Sequence, residues 1–174
     1  MQRSFELKLK TIDETTGEFT GIASTYGGDP DSYLDIVDEG AFAITLSASK
    51  TRPLLWQHRE PIGTVALQDT KQGLIANGKL ALGVQRASEA LALLRAGAVQ
   101  GLSIGFETVK SSYVGDVRHL EEVKLWEVSL TPFPANSNAI VTSVKALRPA
   151  DILNYKNSIT QSVNEIRAIL KGTK

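Results

Sequence analysis

A serine set between two glycines in an otherwise apolar run, Gly101-Leu102-Ser103-Ile104-Gly105-Phe106, is the stretch best equipped for chemistry. A hydroxyl in an apolar strand gains nothing without a partner, and flanking glycines let another backbone or a substrate come close. Serine becomes a nucleophile when a base takes its proton, and imidazole, titrating near neutrality, suits that task. The chain holds two histidines. His58 sits where the apolar strand Leu54-Leu55-Trp56 ends abruptly in the polar residues Gln57-His58-Arg59, whereas His119 stands among Arg118, Glu121 and Glu122 in the manner of a solvated strand start. Ser103 and His58 are therefore the expected nucleophile and base, against the plainer readings of a small residue at a crowded point and a polar strand end.

An imidazole acting as base needs a third group to orient it and stabilise its cation. Glu127 is the candidate, because Val123, Leu125 and Glu127 share one face at the two-residue period of a strand, which sends a carboxylate inward behind two apolar side chains. An inward carboxylate needs a partner, and a structural ion pair with a lysine or arginine is the competing reading. Donors for a developing oxyanion are sought at the backbone near Gly105 or in the turn Pro134-Ala135-Asn136, and the sequence does not choose between them. Trp56 reads as core. The acidic loop Asp29-Pro30-Asp31-Ser32-Tyr33 reads as solvated, and no metal site is assigned.

Composition narrows the chemistry further. The 174 residues contain no cysteine, which excludes disulfides, thiol catalysis and thiolate metal sites, and two distant histidines make a zinc site improbable, so no cofactor is expected. Nineteen basic and nineteen acidic residues cancel, leaving no field to recruit nucleic acid or an anionic membrane. No apolar run is long enough for a membrane helix, and Met1-Gln2-Arg3-Ser4 lacks a signal-peptide core, so a cytosolic, soluble chain is expected.

Positioning these residues calls for a mainly β domain at 1–147 and a helical appendage at 148–174. Phe5 to Ile12 and Glu18 to Ser24 alternate around the turn Asp13 to Gly17 as a hairpin. Gly40 to Leu46 reads as a short helix; strands follow near Pro53 to Gln57, Gly63 to Gln68 and Gly73 to Leu80, with turns at Pro61-Ile62-Gly63 and Asp69 to Gly73. Ala87 to Ala96 reads as a helix with Ser88 as N-cap and Gly97 just past its end. Leu102 to Lys110 and Val117 to Leu130 are long strands joined by a loop at Ser111 to Asp116, and Pro132 and Pro134 end the ladder. From Pro149, the residues Ile152, Tyr155, Ile159, Val163, Ile166 and Leu170 form a narrow helical stripe. This stripe fits self-association or a scaffold helix, and an ordinary capping helix is the alternative.

The order and spacing of several of these motifs resemble the prohead serine proteases of tailed bacteriophages, a family related in fold to the herpesvirus assemblins. The likeness rests on Ser24 to Leu46 with Glu39-Gly40-Ala41-Phe42, on Leu54 to His58 with Pro61-Ile62-Gly63, on Gly73-Leu74, on Gly97 leading into Gly101 to Phe106, and on Leu125 to Leu130 leading into Phe133-Pro134-Ala135-Asn136. The resemblance implies an α+β, mainly β fold, a mixed β-barrel of about six to eight strands decorated by short helices. It implies an endopeptidase that cleaves capsid and scaffold polypeptides, and itself, inside an assembling prohead in the host cytoplasm. Assemblins use a second histidine as third member, which keeps His119 in competition; the phage-type reading favours Glu127, inside the matching Leu125 to Leu130 motif. A non-catalytic scaffold-binding protein and a barrel for small apolar ligands are the rival functions.

Overall fold

The computed structural model describes residues 15–146, 157 and 160–167; between 15 and 146 it has eight strands, built on alternating apolar and polar residues, and two short helices. In chain order these are β1 (Thr15–Thr25), β2 (Asp35–Val37), α1 (Ala43–Ala48), β3 (Thr51–Trp56), β4 (Glu60–Thr70), β5 (Gly73–Leu80), α2 (Gln85–Arg95), β6 (Gly101–Val114), β7 (Val117–Thr131) and β8 (Val141–Ala146). The fold is mainly β, with strand order β2-β7-β3-β4-β5-β1-β8 and β6 paired to β7. The sheet is mixed: β2 and β3 run parallel to β7, and the remaining main pairings are antiparallel. Phe19, Phe42, Leu54, Ile62, Leu102, Leu120, Val128 and Leu130 belong to its buried core.

The ladder does not close into a complete barrel. Residues 139–141 stitch its far side instead: Ile22 N donates to Ile140 O at 2.8 Å, Leu102 N to Ala139 O at 2.7 Å, and Val141 N to Gln100 O at 2.8 Å. The approach is close enough that a Cβ on Gly21 would collide with the backbone of Ile140 and Val141.

The chain divides into two compact units, Gly17–Lys145 and a second formed by 1–16 with 146–174. Of the second, residues 160–167 are helical and exposed. The expected strand Phe5 to Ile12, and the parts of the 149–170 helix other than residues 157 and 160–167, lie outside the described residues.

Several local expectations need correction. Pro61-Ile62-Gly63 is not a turn but part of β4; the β3–β4 hairpin closes earlier, at Gln57-His58-Arg59, and Ile62 is fully buried. Pro61 is tolerated because it faces Leu55 at a register shift, where no ladder bond from its nitrogen is needed. Ser88 does not cap α2. That helix starts after Val84 with no side-chain cap, and Ser88 Oγ donates to Leu82 O at 2.8 Å. The loop expected at Ser111 to Asp116 shrinks to Gly115-Asp116, since Gly115 takes φ +63° and permits a two-residue hairpin. Thr15 to Gly17, expected in a turn, already belong to β1.

Candidate active site

The β6–β7 hairpin carries three of the site's side chains. Ser103 pairs with Ser129 and Gly105 with Glu127 across the two strands. Between Gly105 and Phe106 the register shifts, because β7 advances two residues, Glu127 to Leu125, while β6 advances one. The two-residue period nevertheless holds through Glu127, since Val123, Leu125 and Glu127 are buried while Lys124 and Trp126 between them are exposed. Beyond the bulge both parities are buried, with Val128 and Leu130 in the apolar core and Glu127, Ser129 and Thr131 as buried polar residues. Gly105 explains how the buried Glu127 fits: a Cβ there would collide with Glu127 Oε1. Gly105 thus makes room for the carboxylate.

His58 arrives from the β3–β4 turn. Gln57 and His58 both have positive φ, +50° and +60°, uncommon for residues with side chains and held here by surrounding bonds. Gln57 N donates to Leu130 O at 3.0 Å, Arg59 N to Trp56 O at 3.1 Å, and His58 N to Ser129 Oγ at 2.9 Å. The imidazole then bridges two partners, with Nδ1 2.6 Å from Glu127 Oε1 and Nε2 3.1 Å from Ser103 Oγ. An ionised carboxylate only accepts, so Nδ1 carries the proton and Nε2 presents its lone pair to the serine hydroxyl. The hydrogen bond to Glu127 raises the His58 pKa above its usual 6.5, outweighing the opposing effect of partial burial. Glu127 is further fixed by Ser129, whose hydroxyl donates to Oε2 at 2.7 Å.

His58 and Ser103 open onto a cleft of about 670 Å³, walled by residues of the 27–37 loop and by Thr131, Phe133, Ala135 and Asn136. The loop is braced by Asp31 Oδ1, which accepts from Tyr33 N at 2.8 Å and Asp35 N at 3.0 Å, and by Arg118, which donates twice to Asp35 at 2.7 and 2.5 Å. The Asn136 side chain is committed to the protein: Nδ2 donates to Thr25 Oγ1 at the end of β1 at 2.7 Å, and Oδ1 accepts from Asn138 N in its own turn at 2.9 Å. Trp56 is partly buried against the core.

The structure therefore brings together His58, Ser103 and Glu127, with Gly105 beside the carboxylate and Asn136 in the cleft wall. His119 is not brought to them. It stands eight positions before Glu127 on β7, about 25 Å of extended strand away, and its Nδ1 pairs with Asp38 Oδ1 at 2.9 Å. Ser129 was missed by sequence reasoning, although its signal matches that of Ser103: a lone hydroxyl in the apolar run Val128-Ser129-Leu130.

A hydroxyl, an imidazole and a carboxylate chained by hydrogen bonds at a cleft, on a mixed β-sheet of this topology, are the parts of a serine-protease-like hydrolase. The fold is similar to that of KSHV protease, seen in a crystal structure with a hexapeptide phosphonate inhibitor: the TM-score is 0.51 at 10% identity, over 83% of this chain and 76% of that one. Residues 5–151 match the caudovirus prohead serine protease family, and the chain belongs to that family of phage capsid-maturation proteases. It is 32% identical over 168 residues to the prohead protease of Enterobacteria phage HK97, covering 91% of this chain and 73% of that protein. It is also 33% identical over 155 residues to the capsid polyprotein of Pseudomonas phage PAJU2, covering 81% of this chain but 22% of the polyprotein.

Proposed function

We propose that the protein is a serine endopeptidase that cleaves phage capsid and scaffold polypeptides, and itself, through an acyl-enzyme within the assembling prohead in the host cytoplasm. The observation that carries this reading is the hydrogen-bonded chain Ser103 Oγ–His58 Nε2 and His58 Nδ1–Glu127 Oε1 at the cleft. Its relatives, a prohead protease and a capsid polyprotein, favour capsid chains as substrates.

In this mechanism Ser103 Oγ attacks the scissile carbonyl as His58 Nε2 takes its proton, and Glu127 holds the imidazole tautomer and offsets the cation's charge. The oxyanion is assigned to the amides of Ala135 and Asn136, which donate to no group among the described residues and sit in a turn lining the cleft. Collapse breaks the C–N bond as the imidazolium protonates the leaving amine. Water, deprotonated by His58, then hydrolyses the Ser103 ester. The 1–147 portion would be the catalytic domain. The 149–170 helix would contact another copy or a scaffold chain.

Mass analysis of capsid and scaffold chains incubated with the purified protein tests the reading. Discrete fragments are expected, and none with Ser103→Ala. Intact chains, with particle assembly still dependent on the protein, would instead leave a non-catalytic assembly role on the same fold.

A further inference from the structure

Ser129 lies directly beneath the proposed catalytic chain and is fully buried. Its hydroxyl accepts from His58 N at 2.9 Å and donates to Glu127 Oε2 at 2.7 Å, so one oxygen ties the base's backbone to the carboxylate that orients its ring. The backbone it holds lies in a sparsely populated region, since both Gln57 and His58 have positive φ. Residues in sparsely populated regions persist only where the surroundings over-determine them. The neighbouring anchors, Gln57 N to Leu130 O and Arg59 N to Trp56 O, use main-chain acceptors, while His58 alone relies on a side chain. Glu127 Oε1 is occupied by His58 Nδ1, and Ser129 occupies Oε2, which stops the carboxylate from rotating away from the ring.

We propose that Ser129 is a positioning residue, a clamp that sets the His58–Glu127 geometry required by Ser103. The proposal rests on the serine-endopeptidase reading for its kinetic consequence but not for its structural one. A displacement of about 1 Å at such a site costs up to about 10²-fold in rate, so Ser129→Ala should lower kcat by that order while KM stays within about two-fold. The second readout is independent of catalysis. The 2.6 Å bond at Nδ1 should give a far-downfield imidazole proton resonance in wild type and in Ser103→Ala. In Ser129→Ala that resonance should shift upfield or broaden, with the melting transition still cooperative, and Ser129→Thr, which keeps the hydroxyl, should restore both kcat and the resonance. An unchanged resonance and kcat in Ser129→Ala would overturn the proposal, as would a chain that no longer folds, which would make the role purely structural. Failure of Ser129→Thr to restore either would also count against it. If Ser103→Ala still cleaved at the unmodified rate, the endopeptidase reading would fall, while the resonance would still judge the clamp.

Discussion

Under the proposed mechanism, the protonation state of His58 links activity to stability at a single residue. Its side chain is 44% exposed and that of Glu127 11%, so the pair is reachable by substrate yet anchored on its acidic side. Because the bond to Glu127 raises the His58 pKa, the neutral base needed for attack appears only above that raised value, and the acid limb of kcat/KM should lie above pH 6.5. The pair's contribution to stability runs the other way: it is fully present below the unfolded imidazole's pKa and is lost as pH rises through the raised folded one. Glu127→Gln should therefore move the acid limb to lower pH and reduce kcat by about 10⁴-fold, as the analogous change does in the serine-protease template. His119→Ala should leave turnover nearly unchanged, because that ring is paired with Asp38 on a distant part of β7. Steady-state pH profiles on one peptide check these expectations. Gly105→Ala should also abolish turnover, by driving a Cβ into the Glu127 carboxylate.

Strands and turns explain which parts of the site were legible beforehand. Ser103 and His58 stood out as polar groups against apolar runs, a local signal that survives folding intact. Glu127 was legible from the two-residue period, which holds as far as its own buried position; past the bulge beside Trp126 the run Val128 to Thr131 is buried on both faces, which the period does not foresee. No residue in Leu125-Trp126-Glu127 announces a bulge; only pairing with the shorter path through Gly105 and Phe106 creates it. The three-residue β2 and the mostly exposed β8 were unreadable for a related reason, because each owes its conformation to a neighbour, β7 and β1 respectively, more than to its own pattern. Two element-scale tests follow from the packing. Gly21→Ala should cost about 1–3 kcal/mol by forcing β1 away from Ile140 and Val141, and urea denaturation would show this as a lower midpoint at unchanged slope. Arg118→Met leaves the buried Asp35 carboxylate without its double bond, and should cost about 3 kcal/mol and loosen the cleft-lining 27–37 loop.

For the molecule as a whole, every residue of the proposed machinery lies within the unit Gly17–Lys145. A chain ending at Leu147 should accordingly keep its peptidase activity on short substrates while losing self-association or scaffold binding, which sedimentation of the two lengths would register. In the helix at 160–167, Val163 and Ile166 are 40% and 56% exposed. No helix among the described residues is long and apolar enough to cross a membrane. Whether Ser103 is the nucleophile is read out by treating the intact protein with a peptidyl phosphonate and locating the adduct by mass spectrometry. One phosphonyl group is expected, on Ser103, formed by wild type and not by His58→Ala. An adduct on any other residue, or equally rapid labelling in Ser103→Ala, would contradict it.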